Sequence, residues 1–120
     1  MQMPDKPGDL ASLKGCWRTD PFRHEAHRAP GVSRYCFDAN GRGTLEFTRG
    51  DGQSCRAPAR IRFDGANRLV VDDAGGQCNN GPWYPDVLNC QGDAQRVVRC
   101  TGFSDTPAGR NTWTVALHRD

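Results

Sequence analysis

Eight short stretches in which apolar and polar residues alternate leave this chain few choices of architecture. They cover residues 15–19, 33–37, 44–48, 55–63, 68–72, 86–91, 96–101 and 111–118. Alternation with a period of two buries one face of a strand and wets the other. RAPARIRF, residues 56–63, shows it best: Arg56, Arg60 and Arg62 fall on one face, Ala57, Ala59, Ile61 and Phe63 on the other. Pro58, which has no N–H for a ladder, predicts a bulge or bend there. The segments are separated by DANGRG, RGDGQ, DGAN and QGDA. Asn40-Gly41 and Asp51-Gly52 are hairpin signals, because these residue types tolerate positive φ. Short hairpins between consecutive strands make an antiparallel meander. Eight such strands leave two open edges, and closure removes both. The expected fold is therefore all-β, an eight-stranded antiparallel up-and-down barrel.

Alternation also assigns faces. Trp17, Tyr35, Phe37, Leu45, Phe47, Ala57, Ala59, Ile61, Phe63, Leu69, Val71, Leu88, Val98 and Leu117 read as inward. Arg18, Arg34, Arg56, Arg60, Arg62, Arg68 and Arg99 read as outward. Helical periodicity is confined to DLASL, where Asp9 caps one turn with Leu10 and Leu13 on a common side. Residues 1–9 read as a flexible tail, and 10–120 as a single domain. No apolar run approaches the ~20 residues of a membrane helix. The start, MQMPDKPGD, lacks the apolar segment of a signal peptide. Fourteen arginines and two lysines face fourteen acidic residues, for a net charge of +2. The basic residues lie singly along many segments rather than on one element, which argues against a nucleic-acid surface.

Six cysteines in a small, loop-rich chain predict three disulfides and an oxidising compartment, periplasmic or secreted. No Cys-x-x-Cys is present, so the cysteines do not have zinc-knuckle spacing. Facing narrows the pairing. Cys16 and Cys36 both alternate outward on neighbouring strands. Cys90 and Cys100 both alternate inward on the arms of one hairpin. Cys55 and Cys78 remain. The expected bridges are 16–36, 55–78 and 90–100.

LKGCWRTD, residues 13–20, places a glycine two before Trp17, which calls for a large group against the backbone. In a closed meander the first and last strands are neighbours, and the last ends at Arg119. A guanidinium stacked on the indole would seal that end of the barrel. Gly15, Trp17 and Arg119 in this arrangement resemble the lipocalin and wider calycin barrels, which carry Gly-x-Trp on the first strand and an arginine late in the last. A second resemblance covers more of the chain. LKGCWR, YCFDANGRGTLEF, the downstream cysteines and the terminal LHR are similar to the C-terminal region of bacterial virulence-associated SrfA-like proteins. That resemblance implies a bacterial accessory domain and no particular chemistry.

The candidate site residues lie on two long connections, 20–32 and 73–85. Odd-numbered connections of a meander share one end, so both fall at one mouth, with the 102–110 hairpin beside them. That mouth would gather Arg23, His24, Glu25, His27, Arg28, Trp83 and Tyr84, a cationic and aromatic rim suited to an anionic or aromatic group. RHEAH, residues 23–27, offers two imidazoles and a carboxylate, too few ligands for a stable metal site. DANGRGTLEFTR, residues 38–49, imitates a calcium loop but puts Arg42 and Arg49 where ligands belong, so it reads as a hairpin. Neither a nucleophile beside a base nor a phosphate-cradling loop is visible. The expectation is a non-catalytic binding module without metal or cofactor, a monomer when isolated. It would contact a protein partner through the mouth loops. The alternative is a lipocalin-like carrier of a small apolar or aromatic ligand inside the barrel. The crowd of large inward side chains favours the first, since eight strands enclose room for side chains or one small ligand.

Overall fold

Burial along β4 (Ser54–Phe63) alternates residue by residue, with Cys55, Ala57, Ala59 and Ile61 buried and Arg56, Pro58, Arg60 and Arg62 exposed. The same pattern runs through the rest of the sheet in this computed structural model, which describes residues 13–25, 28–65, 68–92 and 97–120. The other strands are β1 (Gly15–Thr19), β2 (Gly31–Phe37), β3 (Arg42–Arg49), β5 (Arg68–Asp73), β6 (Gly76–Cys78), β7 (Gly81–Trp83), β8 (Asp86–Gln91), β9 (Val97–Thr106) and β10 (Gly109–Arg119). Every pairing is antiparallel. The order β3-β2-β1-β10-β9-β8-β5-β4 closes on itself through β3–β4. This is an eight-stranded up-and-down barrel, with β6 and β7 annexed along β4. Its strand count, order and closure are those implied by the resemblance to calycin barrels. The helical turn expected over 9–13 lies outside the described residues except for Leu13, which is fully buried.

The connection 73–85 is not the open loop that its glycines and asparagines suggest. It carries the β6–β7 hairpin, turned at Asn79-Asn80. The pairs Ala59↔Asp73 and Arg56↔Gln77 leave two residues of β4 opposite three, Ala74, Gly75 and Gly76. That is a bulge, and Gly75 takes the positive φ it needs, +80°. It lies across from Pro58, whose carbonyl accepts the Ala74 N–H at 3.0 Å. β9 and β10 also run further than expected, and the hairpin placed at 102–110 narrows to a turn at Pro107-Ala108.

All three disulfides join directly opposed residues of adjacent strands: Cys16–Cys36, Cys55–Cys78 and Cys90–Cys100. These are the expected pairs, two from facing and Cys55–Cys78 as the remainder. The first staples β1 to β2, the second ties β6 to β4, and the third lies inside the core.

One end of the barrel is closed by β1 and β10. The Arg119 guanidinium carbon stands 4.3 Å from the centre of the Trp17 ring, and its Nη2 donates to the Lys14 carbonyl. The Trp17 indole N–H donates to the Leu13 carbonyl at 3.2 Å. A Cβ on Gly15 would come within 3.2 Å of the Arg119 guanidinium, so the glycine makes room for the seal. The interior between this end and the other is occupied by side chains, among them Tyr35, Phe37, Leu45, Ile61, Leu69, Val71, Leu88, Val98 and Leu117.

Candidate functional site

At the opposite end the β1–β2 loop turns inward. Phe22 pairs with Gly31 through two backbone hydrogen bonds, 2.8 and 2.9 Å, and this narrow neck directs His24 into the barrel. The imidazole sits among four aromatic rings. Its centroid is 4.3 Å from that of Trp113, 4.9 Å from Trp83, 5.8 Å from Phe47 and 6.3 Å from Phe22. Trp113 fits because residue 102 opposite is a glycine; a Cβ there would come within 2.5 Å of the indole. The inward reading of β10 had included Leu117 alone; stepping back by twos from it reaches Val115 and Trp113, both buried.

Beneath the aromatic rings lies a polar layer. His24 Nε2 is hydrogen-bonded to Asp86 Oδ1 at 3.1 Å, with the two side chains only 11% and 3% exposed. The Asp86 N–H donates to Asp73 Oδ2 at 3.0 Å, and the Gly75 N–H to Asp73 Oδ1 at 2.8 Å. Burial, then the neighbouring Asp86, push the Asp73 carboxyl up to about 7. Trp83 lends the ionised Asp73 some support, although its indole N–H falls short of hydrogen-bond geometry. Burial also raises Asp86, and the bond to His24 opposes the rise. Tyr35, wholly buried and under the field of both aspartates, is held well above the usual phenol range, burial being the larger cause. Ser104 Oγ donates to the Pro85 carbonyl at 2.9 Å.

Above this plug is a cleft of about 450 Å³, lined by His24, Glu25, Gln53, Pro82, Trp83, Tyr84, Ser104, Thr106, Pro107, Ala108 and Asn111. Its origin is topological. β8 pairs with β9 as far as Asp86↔Ser104, whereas β7 beyond it follows β6 instead. The sheet forks at Tyr84-Pro85, and the cleft fills the fork between the β6–β7 and β9–β10 hairpins. The mouth turns are tied to one another: Gln53 Nε2 donates to Asn80 Oδ1 at 3.1 Å, Asn79 Nδ2 to the Gly52 carbonyl at 2.9 Å, and the Gly50 N–H to the Pro30 carbonyl at 3.0 Å.

Of the residues singled out in the sequence, His24, Glu25, Trp83 and Tyr84 meet at this cleft. Trp83 is buried in the plug, while Tyr84 is a large hydrophobic side chain left exposed. Arg23 and Arg28 do not line it. Arg23 Nη1 donates to the Arg28 carbonyl, and Arg28 faces Glu25 at 3.7 Å. His27 lies outside the described residues. His118, at the far end of β10, pairs with Asp20 at 3.0 Å. The calcium-loop imitation is a hairpin turn, in which Asp38 Oδ1 accepts the N–H groups of Asn40 and Arg42 at 2.8 and 3.0 Å. Gln53, Asn111, Ser104 and Thr106 were missed: the meander rule brings their turns to the mouth, but it does not say which of their side chains face the cleft. The hydrogen bond of His24 goes to a carboxylate rather than a nucleophile, and every cysteine is in a disulfide. Among the described residues no group of three or more His, Cys, Asp or Glu is placed to hold a metal ion, and no helix is long and apolar enough to cross a membrane.

Comparison with family models, with curated proteins and with solved structures finds no match to the chain.

Proposed function

We propose that this chain is a non-catalytic binding module of an oxidising compartment, and that it contacts a protein partner through the mouth formed by the β1–β2, β3–β4, β6–β7 and β9–β10 turns. One observation carries the reading: the barrel interior holds a continuous cluster of buried side chains, while a cleft of about 450 Å³ opens at the loop end. That volume is within the range of binding sites, about 300–1,000 Å³. Loops on a rigid scaffold are where such contacts are usually built. Three disulfides fit an oxidising, periplasmic or secreted setting. The resemblance to virulence-associated SrfA-like proteins adds a bacterial accessory role to this reading, on the sequence motifs alone.

The test uses peptides selected from a random display library against the folded chain. Binding should fall in the double variant Tyr84→Ala, Asn111→Ala and persist in Arg60→Glu on the outer wall. Loss in the wall variant with retention in the mouth variant would overturn the proposal. A stoichiometric small molecule carried through native mass spectrometry, unaffected by either variant, would favour the interior carrier instead.

A further inference from the structure

β1 stays in register with β10 only over Trp17↔Arg119, Arg18↔His118 and Thr19↔Leu117, whereas β10 runs on to Gly109 with β9 along its other side. The alternation of an antiparallel ladder says which backbone groups this leaves over. Thr106 and Gly109 face each other across the turn at Pro107-Ala108, so Gly109, Asn111, Trp113, Val115 and Leu117 bond to β9. The residues between them turn their N–H and C=O groups toward β1. The end of the strand agrees, since the Asp120 N–H donates to the Cys16 carbonyl at 2.9 Å. Continued in the same register, β1 would bring Phe22 opposite Thr114. Instead the Phe22 N–H donates to the Gly31 carbonyl at 2.9 Å, the Phe22 carbonyl accepts the Gly31 N–H at 2.8 Å, and the ring stacks on Trp113 inside the barrel with centroids 6.0 Å apart. Among the described residues no backbone group meets Thr112 or Thr114 from this side, and both residues are exposed.

A hollow of about 500 Å³ flanks this open edge on the outer wall, its lining including Asp20, Phe22, Arg99, Thr101, Thr114 and Ala116. Ala116 is opposite Arg99 in register, and its methyl group is all that β10 places between Arg99 and the edge. Asp20 is taken by His118 at 3.0 Å, whereas no ion pair joins Arg99 to a carboxylate among the described residues. Thr101 and Thr114, opposite each other on the same wall, add hydroxyl donors. An unpaired edge offers main-chain hydrogen bonds to an extended segment, and a pocket beside it selects the side chain. A guanidinium without a counter-ion, flanked by two hydroxyls, selects a carboxylate.

We propose that an extended segment of a partner protein adds to β10 as an antiparallel strand, on the line that β1 leaves at Asp20, and that it carries a carboxylate side chain which meets Arg99 over Ala116. This surface is separate from the mouth and does not rest on it: Arg99, Thr114 and Ala116 are not among the residues lining the mouth cleft.

The experiment is amide NMR of the full chain, titrated to millimolar concentration with the blocked peptide Thr-Val-Glu-Val-Thr, with the same peptide carrying Lys in place of Glu, and with the Glu peptide N-methylated at its central residue. The Glu peptide should move the Thr112 and Thr114 amides and slow their hydrogen exchange. It should bind about five- to tenfold more tightly than the Lys peptide, and Arg99→Glu should reverse that preference. N-methylation should abolish binding, because it removes the N–H that pairs with the edge. Tyr84→Ala, at the mouth, should leave all of this unchanged. If the N-methylated peptide binds as well as its parent, or if no peptide moves Thr112 and Thr114, strand addition is wrong and the mouth reading stands untouched. If the Glu and Lys peptides bind alike, or Arg99→Glu leaves their order as it was, the assignment of an acidic segment is overturned. Protection of Thr112 and Thr114 that grows with protein concentration in the absence of peptide would mean that a second copy of the chain occupies the edge, and would overturn the partner assignment.

Discussion

Trp17 and Arg119 face each other in register across β1 and β10, and between them they settle how the barrel ends. The indole is fully buried, so Trp17→Ala should cost about 3–5 kcal/mol, as large core truncations do. Arg119→Ala leaves that core in place and removes a stacked cation, for about 0.5–2 kcal/mol. Urea unfolding should order the two variants this way, and Arg119→Ala should shift the tryptophan emission of the native state. Equal losses would mean that the arginine does more than cover the ring. This pair was legible because Gly15 advertises the large group beside it, and because a closed meander makes the chain's first and last strands neighbours. His24 was legible as a candidate residue of the mouth loop, but not as a buried one. Its burial depends on Asp86, 62 residues away, and on rings from three other strands, and alternation carries no such information through a loop. Gly102 is a comparable case. Gly102→Ala would force Trp113 aside, with a loss of about 1–3 kcal/mol in the same unfolding assay.

The β6–β7 hairpin is the element that turns a plain barrel into one with a cleft. Each of its strands has three residues, and composition around Asp73 and Pro85 reads as turn, so period-two alternation never becomes visible. The long strands were recognisable because their outward arginines mark the pattern on every second residue. What holds the hairpin is tertiary: the Cys55–Cys78 bridge, the Gly75 bulge, and Trp83 seated in the plug. Replacing Cys55 and Cys78 together by serine removes a crosslink between residues 23 apart, for a loss of about 3 kcal/mol. The loss should be local in its dynamics. Hydrogen exchange of residues 76–83 should accelerate much more than that of β9 and β10, because β6 and β7 are bonded to the barrel along one edge only. Uniform acceleration through all strands would show instead that the hairpin unfolds with the barrel. Either way the variant should lose the mouth cleft, whose wall is Pro82, Trp83 and Tyr84.

For the molecule as a whole, the polar layer under the plug makes stability depend on pH in an unusual direction. An unfolded aspartate titrates near 3.9. In the folded chain burial and Asp86 raise Asp73 to about 7, and burial raises Asp86 as well. Between about pH 4 and 7 the folded protein therefore keeps a proton that the unfolded chain has released. The unfolding free energy falls as pH rises across that interval, by up to about 1.4 kcal/mol per unit for one such group. The contribution is fully present below about pH 4 and gone above about pH 7. The surface aspartates act with the opposite sign. Arg49 beside Asp51, Arg110 beside Asp105 and Arg34 beside Asp120 hold those carboxyls below the usual value, as backbone N–H groups do for Asp38, so their stabilisation is lost as the medium becomes more acid than about pH 4. Together the two sets place maximal stability near pH 4–5 rather than in the more common range of about 5–8. Urea midpoints measured from pH 3 to pH 8 at constant ionic strength should trace this maximum. In Asp73→Asn the decline from pH 4 to 7 should flatten. Absolute stability is not the readout there, because an amide oxygen replaces only one of the two acceptors that bind the Gly75 and Asp86 N–H groups. Midpoints that rise between pH 4 and 7 in the parent chain, or a slope that Asp73→Asn leaves unchanged, would show that the buried carboxylates do not govern the acid behaviour of this barrel.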